Sequence, residues 1–387
     1  MTDQAQNEEL TLFRDMVLRA MEKEVAPHFE QWEEDGLIPR ETWKTLGEAG
    51  LLCSDMPEQY GGSGVDFDVT LMIIEEACRL GFTGVSVGLG IHSNIVAPYL
   101  LHLGTEQQKQ QWLPKMATGE VIAALAMTEP GAGSDVQAIR TNAVRDGNEW
   151  VINGSKIFIT NGIQADLVVL ACKTDPDAGA KGISLILVDT SLPGFKRGKK
   201  LQKMGQHSND TAELFFEDLR VPVDCILGEE GKGFFHMMDE LPRERLGCAA
   251  QAVASAQGAL EITVDYILER KAFGQRIGDF QNSRFKIADV KTEIAINRAF
   301  LDQCSRDYRE GNLTADTAAM LKLASTEMQC RVVDDCLQLF GGYGYMAEYP
   351  ISRFYVDARV QRIYAGSSEI MREIVARTLL GKAQPPS

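Results

Sequence analysis

The chain has 387 residues, 44% of them hydrophobic and 24% charged, an ordinary globular composition with room for two or three domains. Its formal net charge of −16 argues against nucleic-acid binding, which needs clustered Lys and Arg, but leaves room for one anionic ligand in a local basic pocket. No apolar run approaches the about 20 residues that cross a bilayer, and the polar, acidic stretch 1–10 resembles neither a secretory signal nor an Arg-rich transit peptide. A cytoplasmic protein without membrane insertion is the expectation.

From residue 1 to about 122 the pattern is mainly helical. Leu12, Met16, Met21 and Val25 recur at roughly helical spacing within 10–32. A short helix from Glu41 is expected to stop at Gly50, a C-terminal glycine. The next helix, 68–80, carries Val69, Met72, Ile73 and Ala77 on one stripe. Between about 123 and 230 short β-rich runs take over, at 150–152, 167–172, 183–188 and 212–216, separated by turn-forming stretches. Strands of this length and spacing suggest a small barrel or sandwich. From 231 to 387 long helices return, at 245–270, 281–310 and 314–340, with a shorter last one at 369–380. The expected fold class is α+β: an N-terminal helical domain (1–122), a middle β domain (123–230) and a C-terminal helical domain (231–387).

Several patterns point away from chemistry. Gly84-Val85-Ser86-Val87-Gly88 fits the G-x-S-x-G nucleophile elbow, which needs a strand before it and a helix after it; here a helix precedes it, so small-residue packing is the better account. Gly342 to Ala347 fits a loose dinucleotide fingerprint but follows a long helix instead of a strand. Eight cysteines lack C-x-x-C spacing, and the five histidines lack metal-ligand spacing, so neither zinc nor any other metal is expected. The basic stretch 196–203 reads as a solvated turn, with contact to an anion as the alternative.

Two segments carry more. Residues 127–135, M-T-E-P-G-A-G-S-D, form a turn rich in glycine and hydroxyls that can bring backbone N–H groups close to a ligand. That string, with W-V-I-N-G-S-K-I-F-I-T-N-G at 150–162, resembles signatures of the acyl-CoA dehydrogenase family. So do R-K-A-F-G at 270–274, Y-A-G-S-S-E-I at 364–370, and the set Gln338, Gly341, Gly342, Gly344, Tyr345, Glu348, Arg353 and Asp357. The resemblance covers nearly the whole chain and agrees with the α, β, α order read independently; it implies a β-barrel for the middle domain and a four-helix bundle for the C-terminal one.

The resemblance implies FAD as cofactor. Leu125, Met127 and Thr128 would contact the flavin, Ser134 would lie between FAD and the CoA arm, and Phe158 and Thr160 would flank the isoalloxazine ring. Arg270, Phe273, Gln281, Gln338, Gly341 and Gly342 resemble residues that hold the FAD of a neighbouring subunit, implying a homotetramer built from dimers. Ser367 and Glu369 would also touch FAD. Phe235, Arg243 and Arg245 would lie along the acyl-CoA substrate, and Ala365 and Gly366 at its thioester.

The chemistry so implied needs a base for the α proton, donors for the thioester oxygen and a hydride acceptor. Many members of the family place a catalytic Glu between Tyr and Gly in the segment matching Tyr364-Ala365-Gly366. This chain has Ala365 there. The long-chain and isovaleryl branches place the Glu in an L-x-x-E-R-L context instead, matched by Leu241 to Leu246, which makes Glu244 the candidate base. The competing reading of Glu244 is a helix-start acid near Pro242, stabilised by the helix dipole. The expected reaction is oxidation of an acyl-CoA to its trans-2-enoyl-CoA, as in fatty acid β-oxidation, on long-chain or methyl-branched, including terpenoid-like, acyl groups. Electron-transferring flavoprotein is the expected acceptor by resemblance. An acyl-CoA oxidase and a DNA-associated flavoprotein on the same scaffold are the alternatives.

Overall fold

The computed structural model describes residues 3–381; the extreme ends of the expected first and third domains lie outside the described residues. By its contacts the chain forms two compact units. One contains the chain up to 70, with 87–203 and 207–240; the other contains 71–86, 204–206 and the chain from 241 onward. The changes of composition seen in the sequence mark changes of secondary structure, and these need not coincide with contact boundaries.

In the first unit the chain starts with α1 (Asp3–Ala20), which continues through a π-turn at Met21–Val25, followed by α2 (Phe29–Asp35) and α3 (Arg40–Glu48). Val17, Met21 and Val25, four residues apart, are fully buried, whereas Leu12 is 67% exposed. The stripe therefore runs through Val17 and not through the expected Leu12. Gly50, at φ +72°, ends α3 as expected: Leu51 N–H donates to Leu46 O and Gly50 N–H to Gly47 O, both at 2.9 Å. The helix α4 (Phe67–Arg79), which with the start of the next helix belongs to the second unit from residue 71 to 86, buries Val69, Met72, Ile73 and Ala77.

Helix α5 (Thr83–Gly90) carries Ser86, almost fully buried, whose hydroxyl donates to Ile74 O. A serine closed inside a helix is packing and not a nucleophile. A π-turn and α6 (Ala97–Leu103) complete a run, Thr83–Leu103, of 21 residues with mean hydropathy 1.2, long and apolar enough to cross a membrane. This corrects the expectation that no such run exists. Most of the run is buried within the protein, so it reads as apolar because it is a core helix. Helix α7 (Glu106–Ala117) starts from a capping box in which Thr105 and Gln108 satisfy each other's backbone N–H.

The described residues then form a sheet of eight strands: β1 (Ala123–Ala126), β2 (Asn142–Asp146), β3 (Glu149–Thr160), β4 (Leu167–Lys173), β5 (Ile183–Asp189), β6 (Phe195–Lys200), β7 (Thr211–Pro222) and β8 (Ile226–Leu227). Its order is β6-β7-β3-β2-β4-β5-β8, with β1 parallel to β4. One face from nearly every strand, including Trp150, Ile152, Val168, Leu170, Ile186, Phe195, Leu214 and Phe216, gathers into a single core, so the sheet curls around its own interior. The other face of β4 and β5 (Leu167, Val169, Leu185 and Leu187) packs with Val96, Leu100, Leu113 and Met116 of the helices. Burial on both faces explains why 167–172 and 183–188 read as unbroken apolar runs. The stretch 196–203 is corrected: most of it is strand β6, an edge strand paired with β7, and Arg197 donates to Ala165 O at 2.7 Å.

In the second unit the long helices are α8 (Gly233–Glu269, from 241 on), α9 (Gln281–Arg309) and α10 (Ala315–Phe340), with α11 (Pro350–Ala358) and α12 (Ser368–Leu380). Thr314 and Ser367 cap α10 and α12 with their side chains. Residues 71–86 are tied in by ion pairs: Arg298 to Glu75 at 2.6 Å, and Arg79 to Glu261 at 2.9 Å. Helix α8 starts at Gly233 and not near 245. Pro242 lies inside it, tolerated at the loss of one backbone hydrogen bond.

Candidate active site

In the first unit, β1 delivers a half-buried Leu125 and then half-buried Met127 and Thr128 into the glycine-rich loop. Beneath that loop lies a feature the sequence did not announce. The Lys156 side chain is fully buried, and its ammonium donates to Glu129 Oε1 and to Met127 O, each at 2.8 Å. The Glu129 carboxylate also accepts from the backbone N–H groups of Arg140 (2.6 Å) and Thr141 (2.9 Å). Burial by itself would raise the Glu129 carboxyl, but Lys156 and these hydrogen bonds outweigh it and hold the carboxyl below the usual range. Burial likewise pulls the Lys156 ammonium down against the opposing pull of Glu129. Ile157 N–H donates to Thr128 O at 3.0 Å, so β3 and the loop form one rigid piece.

The pairing of β3 with β7 slips between Lys156 and Ile159, a bulge that re-aims the next side chain. Phe158 in that bulge has φ +62° and is 64% exposed. A large aromatic held outward in a left-handed conformation is a strained arrangement of the kind kept at ligand sites. Thr160 is half-buried at the end of the strand, and Ser134 is exposed. Beside Ser134, Gly131 and Gly133 have open space where a Cβ would project. Leu125, Met127, Thr128, Phe158 and Thr160 thus belong to one β1–β3 framework, with Ser134 further along its loop. Phe235, 41% exposed near the start of α8, lies edge-on to Phe234 with ring centroids 5.8 Å apart.

In the second unit Arg243, Glu244 and Arg245 are all buried, at 6%, 6% and 4% exposure. The competing helix-start reading of Glu244 is corrected here, because the residue sits well inside α8 and the helix dipole acts only over the first turn. Arg243 Nη1 lies 3.4 Å from the Tyr308 hydroxyl. Burial lowers the Arg245 guanidinium, with Glu244 opposing. One turn on, burial pushes the Cys248 thiol up to about 11, and Lys322, Glu244 and Arg245 are the charges that act on it. Ala365 and Gly366 form a left-handed turn, φ +51° and +93°. The left-handed φ of Gly366 is what favours glycine there, since the nearest atom to an added Cβ, Met371 Cε at 2.5 Å, is the movable tip of a flexible side chain. Ser367 begins α12, while Glu369 is exposed on its first turn.

Also in the second unit, an open pocket of ≈ 620 Å³ is lined by Arg270, Gln338, Gly341 and Gly342 together with Tyr266 and Tyr343. The Arg270 guanidinium stands 5.2 Å over the Tyr343 ring. Gly341, at φ +59° and ψ −136°, ends α10 in a conformation open to glycine, and a Cβ there would project into free space. A cation, an amide, an aromatic wall and exposed backbone suit a phosphate-bearing aromatic ligand such as the nucleotide half of FAD. Four of the expected cofactor residues meet in this pocket; Phe273 and Gln281 are exposed but do not line it. Phe273 is 97% exposed at φ +52°. The described residues hold no group of three His, Cys, Asp or Glu placed to bind a metal ion.

Helices, a curled sheet and a helical domain make this an α+β protein, with an open pocket at Arg270 and a buried carboxylate on α8. The chain belongs to the acyl-CoA dehydrogenase family of oxidoreductases. The family's N-terminal domain matches residues 7–120, its middle domain 124–219 and its C-terminal domain 231–380. The rat long-chain specific mitochondrial acyl-CoA dehydrogenase is 46% identical over 371 residues, 95% of this chain and 86% of that protein. A solved acyl-CoA dehydrogenase from Geobacillus kaustophilus is 48% identical, with a TM-score of 0.94 over 96% of this chain and 98% of its own. A glutaryl-CoA dehydrogenase from Mycobacterium smegmatis, solved in complex with FADH2, is 27% identical with a TM-score of 0.92, covering 99% of this chain and 97% of its own.

Proposed function

We propose that the protein oxidises a long-chain or methyl-branched acyl-CoA to its trans-2-enoyl-CoA, using FAD, with Glu244 as the base. The observation that carries the assignment is a buried carboxylate at Glu244 in a chain whose position 365 holds alanine. The similarity to a long-chain enzyme supports the substrate class.

Leu125, Met127, Thr128, Phe158, Thr160 and Ser134 would hold the flavin half of FAD. Arg270, Phe273, Gln281, Gln338, Gly341 and Gly342 would hold the nucleotide half, in this reading that of a neighbouring subunit in a homotetramer. Ser367 and Glu369 would contribute at the start of α12. When bound, FAD supplies the acceptor for the hydride that leaves the β carbon. The Glu244 carboxylate takes the α proton. The N–H of Ala365 donates to the thioester oxygen, where negative charge accumulates as that proton leaves. Arg243 and Arg245 hold the substrate, with Phe235 against its apolar part and Gly366 at the thioester. Burial keeps water away from the carboxylate, so the thioester and not solvent meets the base. Electron-transferring flavoprotein in the cytoplasm would reoxidise the enzyme.

The purified protein should be yellow, with about one non-covalent FAD per chain, and a panel of acyl-CoA thioesters should bleach it under anaerobic conditions. Long-chain and methyl-branched thioesters should act fastest. Colourless folded protein that takes up no added FAD would overturn the assignment, and rapid peroxide formation in air would assign the oxidase chemistry instead.

A further inference from the structure

We propose that Lys322 is a positioning residue for the thioester carbonyl: its buried ammonium fixes the Ala365–Gly366 turn so that the Ala365 N–H is presented to the substrate oxygen. The inference rests on the dehydrogenase reading above and goes beyond it by assigning a residue that no sequence motif marks.

A lysine whose side chain is wholly removed from solvent is rare, because its charge loses hydration. Lys322 on α10 is at 0% exposure, and burial pulls its ammonium below the usual lysine range. It donates to Gly366 O at 2.8 Å. That carbonyl belongs to a turn with two consecutive left-handed residues, one of them alanine, a conformation that persists only where its surroundings over-determine it.

The surroundings do so from both sides. Ahead of the turn, the Tyr364 hydroxyl donates to Gln251 Oε1 on α8 at 3.3 Å. Behind it, Lys322 holds the Gly366 carbonyl, and the side chain of Ser367 then caps α12. Between these two anchors, the Ala365 N–H makes no hydrogen bond among the described residues, so it stays free to donate to a ligand. Lys322 also acts on the charge environment of Cys248, one turn along α8 from Glu244. A donor that must meet an oxygen to within a few tenths of an ångström needs such support behind it.

The test compares Lys322→Met, which fills the space without donating, with Lys322→Gln, which donates without charge. Each holoenzyme is saturated with a 2-enoyl-CoA carrying an isotope-labelled carbonyl, and the carbonyl stretch is read by difference infrared spectroscopy alongside kcat and Kd. The Met variant should show a stretch moved back toward its value in water and kcat reduced roughly tenfold to a hundredfold, with Kd changed by less than about threefold. The Gln variant should fall between Met and wild type. If the Met variant does not fold, the Gln variant decides, its stretch displaced from wild type supporting the proposal and an unchanged stretch overturning it. A folded, FAD-loaded Met variant with the wild-type stretch overturns it as well. Failure of the wild type to dehydrogenate any acyl-CoA is a separate result, which removes the underlying reading.

Discussion

Lys156 and Glu129 form a buried ion pair, 2.8 Å apart, directly beneath the loop that carries Met127 and Thr128. The same ammonium also holds the Met127 carbonyl, and the same carboxylate gathers two backbone N–H groups from 140–141. Loop, bulge and strand therefore share one electrostatic anchor. Lys156→Met would leave the carboxylate buried without its counter-charge, which should destabilise the protein by about 3–5 kcal/mol. Combining it with Glu129→Gln should restore part of that loss. Denaturant unfolding with FAD content measured in parallel checks this, and wild-type stability in the Lys156→Met protein would refute the anchor.

His92 predicts an acid sensitivity. It is fully buried; Nε2–H donates to Met116 O at 3.0 Å, and Nδ1 accepts from Ala123 N–H at 3.2 Å. That arrangement requires the neutral ring, and burial pushes its pKa down to about 4, well below the ordinary histidine value of about 6.5. Above pH 6.5 the folded and unfolded chains bind the same proton number here. As pH falls from about 6.5 to 4, the unfolded chain gains a proton that the folded one refuses, so stability drops by about 3 kcal/mol. His92→Gln should flatten the fall of Tm over that window. An identical pH profile for the two proteins would contradict this.

The pocket at Arg270 predicts a coupled loss. Arg270→Glu replaces the cation over Tyr343 with an anion facing a phosphate-bearing ligand. FAD retained after gel filtration should fall severalfold, and, with a neighbour's cofactor at this site, subunit association measured by sedimentation should weaken with it. A monomeric wild type with full FAD occupancy would contradict the cross-subunit arrangement.

Where the sequence was legible, local chemistry explained why. Gly50 ends α3 because only a left-handed residue closes that turn, and β4 and β5 stand out because both their faces are buried. Strand β6 was hidden by its composition: Lys196, Arg197, Lys199 and Lys200 suit the solvent side of an edge strand as well as a loop. Pro242 marked a false helix start, because proline is commoner in the first turn than inside a helix. The anchor under the 127–135 loop lay in two recognised segments, yet Glu129 and Lys156 are 27 residues apart and their pairing depends on the sheet. Lys322 gave no signal, since a lysine in a long helix ordinarily faces water. Of the expected site residues, Arg270, Gln338, Gly341 and Gly342 converge in one pocket, while Phe273 and Gln281 are exposed outside it.

The proposed base, Glu244, is the point where this chain departs from the commoner pattern, and one substitution isolates it. Glu244→Gln preserves the volume of a buried side chain and removes its capacity to accept a proton. Adding Ala365→Glu to that background would approach the α proton from the turn and should recover part of the lost activity. The direct measurement is the rate at which a saturating acyl-CoA bleaches the flavin of the single Glu244→Gln variant in anaerobic stopped flow. That rate should fall by about 10²–10⁴-fold, with FAD content and enoyl-CoA binding near wild type. A rate equal to wild type would show that Glu244 is not the base.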